Sequence, residues 1–261
     1  MTKRRRGIYL LPNLFTTAAM FAGFYAIVAA MNARFEEAAI AIFVAMVLDG
    51  MDGRIARMTN TQTDFGTQYD SLSDLISFGL APALVVYQWS LSGFGKPGWL
   101  ASFIYAAATA LRLARFNTQV ASADKRYFQG LPSPSGAALV AGMIWCGVRY
   151  GIDNGHDVIF LSFPITIIAG LLMVSNIRYH SFKQIDLHGR VPFIAGGAMV
   201  LVFVLIAIEP PLVLFLLALA YAISGPTLTL LYIRKHRAAR KGNEEVSEEP
   251  GEETREQNST E

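Results

Sequence analysis

Four aspartates are spaced so that they could act together. Asp49 and Asp52 are three residues apart, and Asp70 and Asp74 are four residues apart. On a helix, either spacing places the two side chains on one face. The segment between the two pairs includes MTNTQTDF, which is mostly polar and suits a connection between two helices. Two adjacent helices would therefore aim four carboxylates at one point.

A cluster of four carboxylates needs positive charge beside it, because like charges in one site cannot all stay ionised without neutralisation. Hard divalent cations that prefer oxygen ligands, Mg²⁺ or Mn²⁺, are the natural partners. Two such ions about 3.5–4 Å apart form a clamp that suits phosphoryl chemistry. The aspartates thus predict a divalent-metal site that acts on a phosphate group.

The chain around this cluster has the composition of a membrane protein. It has 261 residues, of which 53% are hydrophobic, and its mean hydropathy is +0.37. Charged residues make up 16%, below the roughly 25% of soluble domains. A carboxylate in a membrane-spanning segment costs about 2.5–3.5 kcal/mol on insertion scales, so a cluster of them indicates function. The single cysteine, Cys146, excludes an intrachain disulfide.

Apolar runs near the ~20 residues needed to cross a bilayer recur along the chain. They predict an all-α fold, a polytopic membrane helical bundle of about eight transmembrane helices. The predicted spans are residues 9–31, 36–58, 70–92, 98–117, 135–151, 157–176, 191–208 and 210–233.

The distribution of basic residues predicts the orientation of the bundle. With the N-terminus in the cytoplasm and eight crossings, 19 of the 22 Lys and Arg residues fall on the cytoplasmic side. Only Arg34, Lys96 and Arg149 fall on the other side. Cytoplasmic loops carry such an excess, so we expect both termini in the cytoplasm. The carboxylates would then face the cytoplasm from the cell inner membrane, within reach of soluble substrates.

The end of the chain differs from the rest. Residues 242–261 contain eight Glu and one Arg and few apolar residues, which predicts an acidic disordered tail. Residues 1–241 would form one membrane-embedded domain with a net charge of +9. A basic membrane protein suits anionic lipid surfaces and phosphate substrates, and we expect membrane lipids rather than nucleic acid as partners.

The aspartates belong to a longer pattern that resembles the signature of the CDP-alcohol phosphotransferase family. All eight fixed positions match at the right spacing: Asp49, Asp52, Gly53, Ala56, Arg57, Gly66, Asp70 and Asp74. Three further stretches, LPNLFT, LRLARFN and GLPSPSG, resemble the phosphatidylserine synthase branch of this family. This narrower likeness covers roughly residues 1–190.

The resemblance implies an enzyme that transfers the phosphatidyl group of CDP-diacylglycerol to L-serine and releases CMP. It implies that Asp49, Asp52 and Asp70 bind metal and that Asp74 completes the site of a second ion. Asp74 is also the candidate general base for the attacking hydroxyl, a role that contributes about 10²–10⁴-fold. The cofactors would be Mg²⁺ or Mn²⁺, two per active site. The resemblance also suggests a homodimer.

Two groups of residues are candidates for binding the substrates. Those expected near the nucleotide and the donor's phosphates are Asn13, Thr16, Gly53, Ala56, Arg57, Thr63 and Gly66. Those expected near the acceptor or a phosphate are Arg112, Arg115, Asn117, Ser133 and Ser135. Each group has a structural alternative: a helix start for the early polar residues, close helix packing for the small ones, and a basic membrane flank for the arginines.

Two other functions fit part of the pattern. The same chemistry could use another alcohol, such as glycerol 3-phosphate or an inositol phosphate, since the signature reflects the donor. A divalent-cation transporter could use the four aspartates as its ion site. Transporter sites usually lie near the bilayer midplane between repeated halves, whereas this cluster lies near one boundary and the sequence has no visible repeat.

Overall fold

The computed structural model describes residues 10–59, 61, 63–119, 127–180 and 193–247. Most of these residues are helical. The helices are α1 (Leu10–Met31), α2 (Phe35–Thr59), α3 (Asp64–Asp74), α4 (Ala81–Trp89), α5 (Lys96–Gln119), α6 (Ser133–Arg149), α7 (Ile159–Val174), α8 (Phe193–Ile208) and α9 (Pro210–Ser247). A π-helical turn (Leu75–Leu80) joins α3 to α4, and short 3₁₀ turns (Leu91–Phe94 and Gly155–Val158) precede α5 and α7.

The predicted apolar segments fall largely within these helices. Four stretches are long and apolar enough to cross a membrane, judged by length and composition: Pro12–Met31, Asp64–Trp89, Gly155–Val174 and Pro210–Leu231. The other predicted spans, the total of eight crossings and the orientation stay predictions. Helix α9 continues to Ser247, past the predicted start of the acidic tail. The rest of that tail and the basic residues 1–9 lie outside the described residues.

The expectation of an all-helical fold missed one small element. Strands β1 (Tyr127–Gln129) and β2 (Arg178–His180) pair antiparallel, with Phe128 opposite Tyr179. Three residues are too few to show the alternation by which a strand is recognised in a sequence. The ribbon brings the connection before α6 next to the connection after α7.

Alanines allow α1 and α2 to pack closely along each other. Helix α1 packs along α2 and also against α3, the π-helical turn and α4. The buried positions between α1 and α2 are mostly small: Ala22, Ala26, Ala29, Ala30, Ala38, Ala39, Ala41 and Ala45. In a bilayer, small residues let two backbones approach and gain packing contacts. Helix α1 is thereby held beside the aspartates at the ends of α2 and α3.

A proline directly follows the irregular turn between α3 and α4. Pro82 has no N–H, so it cannot donate to the carbonyl of Phe78 four residues earlier, and its ring crowds that carbonyl. The Ala81 N–H bonds to Ile76, five residues back, as in a π-helix. The buried hydroxyl of Tyr105 on α5 donates to the Phe78 carbonyl at 3.1 Å. Single wide turns of this kind are frequent at functional sites.

The end of α7 holds the segment between β1 and α6 in place. Gly130 has φ +76° and lies so close to the Met173 carbonyl that a Cβ would collide with it. Its N–H donates to the Ile177 carbonyl at 2.8 Å, and Leu131 donates to Leu172 at 2.9 Å. These bonds hold the segment that leads into α6, so the polar residues at the start of α6 have a fixed position.

Candidate active site

The structure brings three of the four aspartates together. Asp49 lies on the last turns of α2, and Asp70 and Asp74 lie one turn apart on α3. One carboxylate oxygen from each of these residues lies within 4.8 Å of the others. The connection between α2 and α3 is shorter than MTNTQTDF suggested, because α2 runs to Thr59 and α3 begins at Asp64.

Asp52 lies on the buried side of the cluster. It is 6% exposed and interacts electrostatically with Asp70 and Asp49. The hydroxyl of Thr16 on α1 donates to Asp52 Oδ2 at 2.8 Å. Thr16 was expected to contact the nucleotide. In the structure its hydroxyl contacts the carboxylate and also lies 3.1 Å from the Pro12 carbonyl, and its contact with the nucleotide stays a prediction.

The donor set fits a divalent cation. Asp70 Oδ1 is buried and has no hydrogen-bond partner. Among the described residues, no Lys or Arg forms an ion pair with any of the four aspartates. Several carboxylates this close, with an oxygen left unpaired, call for a hard cation with oxygen ligands. The arrangement can therefore hold a metal at Asp49, Asp70 and Asp74.

Helix α1 fixes α3 through hydrogen bonds that the sequence did not reveal. Ser73 donates to the Thr16 carbonyl at 3.0 Å. Ser77, in the π-helical turn, donates to the Ala19 carbonyl at 3.1 Å. Tyr69 and Thr17 share a hydrogen bond of 2.8 Å between their hydroxyls. Serine and threonine are ordinary in such segments, so no signal distinguished these pairs beforehand.

The start of α3 explains two of the small polar positions. Thr63 is the N-cap of α3, and its hydroxyl accepts a 3.0 Å hydrogen bond from the Gly66 N–H. Such caps satisfy an N–H that has no partner within the helix. A Cβ on Gly66 would lie 3.1 Å from Thr63 Oγ1 and 3.6 Å from Asn13 Oδ1. Asn13, Thr63 and Gly66 therefore meet beside α3, and their contact with a nucleotide stays a prediction.

Three further signature residues lie near the end of α2: Gly53, Ala56 and Arg57. A Cβ added to Gly53 would meet no atom within 4 Å, so close packing within this chain does not require glycine there. Ala56 is half-buried, and Arg57 is exposed. Among the described residues Arg57 has no recorded hydrogen-bond or ion-pair partner. Gly53 therefore leaves room next to Asp52 in the chain, and Arg57 is an exposed cation without a partner among the described residues.

Arg112 is the candidate acceptor residue whose charge interacts with the aspartate cluster. It is 9% exposed and interacts with the charge of Asp74. Its Nη1 donates to the buried hydroxyl of Ser133 at 2.8 Å, while its Nε is buried without a hydrogen-bond partner. Tyr221 on α9 is a further neighbour that the sequence did not single out.

Arg115, one turn further along α5, is occupied elsewhere. Its guanidinium donates to carbonyl oxygens at the end of α7 and in β1, and to the side chain of Asn176. The carbonyl partners are Gln129, Met173, Val174 and Ser175. These bonds satisfy carbonyls that a helix end leaves unpaired. Arg115 therefore stabilises the end of α7. Its predicted contact with substrate would require these hydrogen bonds to break.

The last two predicted residues differ in their surroundings. Asn117 exchanges hydrogen bonds with Ser71, at 3.0 and 3.3 Å, and so ties α5 to α3 next to Asp70. Ser135 is half-buried at the start of α6 and forms no side-chain hydrogen bond with the part of the chain that the structure describes. Their contact with an acceptor stays a prediction.

Comparisons with known proteins identify a family and several relatives. The family described as CDP-alcohol phosphatidyltransferase matches residues 9–175, which include all four aspartates. A CDP-diacylglycerol–serine O-phosphatidyltransferase of Helicobacter pylori is 41% identical over 179 residues, or 68% of this chain and 75% of that protein. The protein of that name from Mycobacterium bovis is 34% identical over 229 residues, or 83% of this chain and 78% of that protein. The protein of that name from Methanocaldococcus jannaschii is 35% identical over 143 residues, which are 55% of this chain and 63% of that protein.

The resemblance read from the sequence is thus confirmed at the level of the family. The matched region includes the carboxylate cluster, the cap of α3 and the start of α6. The chain belongs to the CDP-alcohol phosphatidyltransferase family.

Proposed function

We propose that this chain transfers the phosphatidyl group of CDP-diacylglycerol to the hydroxyl of L-serine, giving phosphatidylserine and CMP. The observation that carries the proposal is the convergence of Asp49, Asp70 and Asp74 in a chain of this family. The relatives that match it are named for the serine reaction. Glycerol 3-phosphate and an inositol phosphate remain the alternatives as acceptor.

Asp49, Asp52, Asp70 and Asp74 would together hold two divalent cations, Mg²⁺ or Mn²⁺. When bound, such ions neutralise the two phosphates of the donor and make CMP a better leaving group. The proposal is supported by the unpaired buried oxygen of Asp70 and by the absence of an ion-paired Lys or Arg at the cluster within the described residues.

Asp74 would act as the general base. It accepts the proton of the serine hydroxyl, whose oxygen then attacks the phosphorus of the phosphatidyl group. The bond from that phosphorus to the bridging oxygen of CMP breaks, and CMP leaves with the electron pair. This direct transfer needs no covalent enzyme intermediate. A hydroxyl is a weak nucleophile at neutral pH, so a positioned base contributes about 10²–10⁴-fold.

Arg112 would bind the carboxylate of serine. Its Nε is buried without a partner, and the Ser133 hydroxyl accepts from Nη1 and so orients the guanidinium. A guanidinium can hold a carboxylate with two parallel hydrogen bonds. Because Arg112 interacts with Asp74, a serine held there would have its hydroxyl near the base.

The donor would lie along the exposed end of α2. Gly53 leaves open space beside Asp52, and Arg57 is free to pair with a phosphate. Asn13, Thr16, Ala56, Thr63 and Gly66 would complete the nucleotide side.

We further propose eight membrane crossings, both termini and the active site on the cytoplasmic side of the cell inner membrane, and a homodimer.

The test is CMP release by purified protein supplied with CDP-diacylglycerol and Mn²⁺ or Mg²⁺. Serine, glycerol 3-phosphate and an inositol phosphate are added in separate reactions, and Asp74→Asn is the control variant. Release with serine alone, lost in the variant, is the expected result. Release with a different alcohol would keep the chemistry and reject serine. No release with any alcohol would reject the transferase and favour ion transport.

A further inference from the structure

We propose that Tyr105 is a positioning residue for Asp74, acting through the wide turn between α3 and α4. This inference rests on the proposed function, because it concerns the residue assigned as the base. Tyr105 itself does not touch the carboxylates. Its fully buried hydroxyl donates to the Phe78 carbonyl, one turn beyond Asp74 in the same helical stretch.

The wide turn sets the direction of two carboxylates. Each residue of an α-helix rotates the chain by about 100°, so one extra residue in a turn changes the face of everything before it by about that angle. The turn starts at Leu75, directly after Asp74. Closing it to an ordinary turn would therefore rotate Asp70 and Asp74 away from Asp49 on α2.

The two halves of this stretch are anchored independently, so the turn must absorb the difference. Helix α4 is fixed by its buried residues Ala81, Val85, Val86 and Trp89. Helix α3 is fixed by the bond of Ser73 to α1. Between them, a Cβ on Gly79 would lie 3.2 Å from Thr109 on α5, so α5 lies tightly against the turn. Tyr105 comes from the same helix, one turn earlier.

The same pairing of proline and tyrosine occurs a second time. Pro226 lies inside α9, and it cannot donate to the carbonyl of Ala222 four residues earlier. The buried hydroxyl of Tyr179 donates to this carbonyl at 3.0 Å. Helix α9 remains an ordinary α-helix there, and no aspartate of the cluster lies on it. This pair provides a matched control.

The experiment compares Tyr105→Phe with Tyr179→Phe. Each change removes one buried hydroxyl that serves one carbonyl, so both variants should melt at a lower temperature. In Tyr105→Phe, kcat should fall at least about tenfold, because displacing a reacting group by about 1 Å can cost 10²-fold. The KM for serine and for CDP-diacylglycerol should stay near the original values, and Mn²⁺ should bind more weakly. In Tyr179→Phe, kcat and Mn²⁺ affinity should be unchanged.

The double variant Tyr105→Phe/Pro82→Ala separates position from stability. It supplies a backbone N–H for the Phe78 carbonyl and lets the turn close as an α-helix. We expect the melting temperature to recover and kcat to stay low. It is measured in place of Tyr105→Phe if the single variant does not fold.

Four results would overturn the proposal. These are an unchanged kcat in Tyr105→Phe, an equal loss in both single variants, a double variant that recovers kcat, and failure of both Tyr105 variants to fold. Failure of the proposed function gives a different result, because the unaltered protein would then not release CMP with serine. The Mn²⁺ affinities of the single variants would still test Tyr105 in that case.

Discussion

Thr16 and Asp52 are joined by a 2.8 Å hydrogen bond between α1 and α2. Both side chains are buried. The bond fixes one oxygen of Asp52. The first helix therefore contributes to the carboxylate cluster, although it carries no acidic residue.

Thr16→Val should weaken metal binding without removing any carboxylate. A hydrogen bond to a charged group contributes about 1.5–3 kcal/mol, and about 1.4 kcal/mol corresponds to a tenfold change in affinity. The Mn²⁺ affinity should therefore fall at least about tenfold. Thr16→Ser keeps the hydroxyl and should restore the affinity. A titration of Mn²⁺ into each purified variant measures it. Equal affinities in the valine and serine variants would mean that the bond does not orient Asp52.

Asp74→Asn should lower kcat by about 10²–10⁴-fold, since it removes the base and one metal ligand while keeping the shape. The melting temperature without metal should rise or stay constant, because one of several close like charges is lost. Asp64→Asn is the matched control: Asp64 is exposed on the first turn of the same helix, away from the cluster. CMP release that survives in Asp74→Asn would reject Asp74 as the base.

Removal of divalent metal should abolish transfer and lower the melting temperature. A ligand that binds only the folded state stabilises it by about 2.7 kcal/mol at a concentration 100 times its dissociation constant. Thermal unfolding with EDTA and then with added Mn²⁺ measures this shift. In Asp49→Asn/Asp70→Asn the shift should disappear. A shift of equal size in that variant would place the metal elsewhere.

Arg112→Lys should raise the KM for serine by about tenfold, near 1.4 kcal/mol, because an ammonium cannot hold a carboxylate with the two-pronged geometry of a guanidinium. The KM for CDP-diacylglycerol should not change. Arg115→Lys is the comparison, since Arg115 serves the end of α7. That variant should lose thermal stability and keep its KM for serine. A higher KM for serine in Arg115→Lys, with only a loss of thermal stability in Arg112→Lys, would exchange the roles of the two arginines.

Gly53→Ala separates room for the substrate from packing of the fold. A Cβ fits there without contact, and alanine favours a helix over glycine by about 0.5–1 kcal/mol. The variant should be slightly more stable but have a higher KM for CDP-diacylglycerol. In Gly66→Ala the added Cβ presses on Thr63 Oγ1, so stability should fall as the cap of α3 is lost. An unchanged KM in Gly53→Ala would place the donor away from this face.

The helices and the aspartate cluster could be predicted because their signals are local. Long apolar runs and spacings of three and four residues are visible in any short window, and the pairs of aspartates fell where these rules put them. The start of α3 was misplaced by several residues because the capping role of Thr63 was not recognised. Threonine before a helix is a common cap, and the contact of Thr63 with the nucleotide stays a prediction beside this role.

The contacts that could not be predicted all join distant segments. Arg112 and Arg115 have the same side chain and lie one turn apart, yet one faces Asp74 and the other serves the end of α7. The two roles differ because different segments of the chain pack against each arginine. Pro82 was visible inside a predicted span, but its partner Tyr105 comes from another helix. The same holds for the ribbon of β1 and β2.

The two pairings of proline with a buried tyrosine carry a consequence for the descent of this chain. A proline inside a helix removes the usual donor to one carbonyl, and a buried carbonyl without a donor is costly. Pro82 and Tyr105 therefore depend on each other, as do Pro226 and Tyr179. Among related sequences, each proline should be kept or lost together with its tyrosine, so that each pair behaves as one inherited unit.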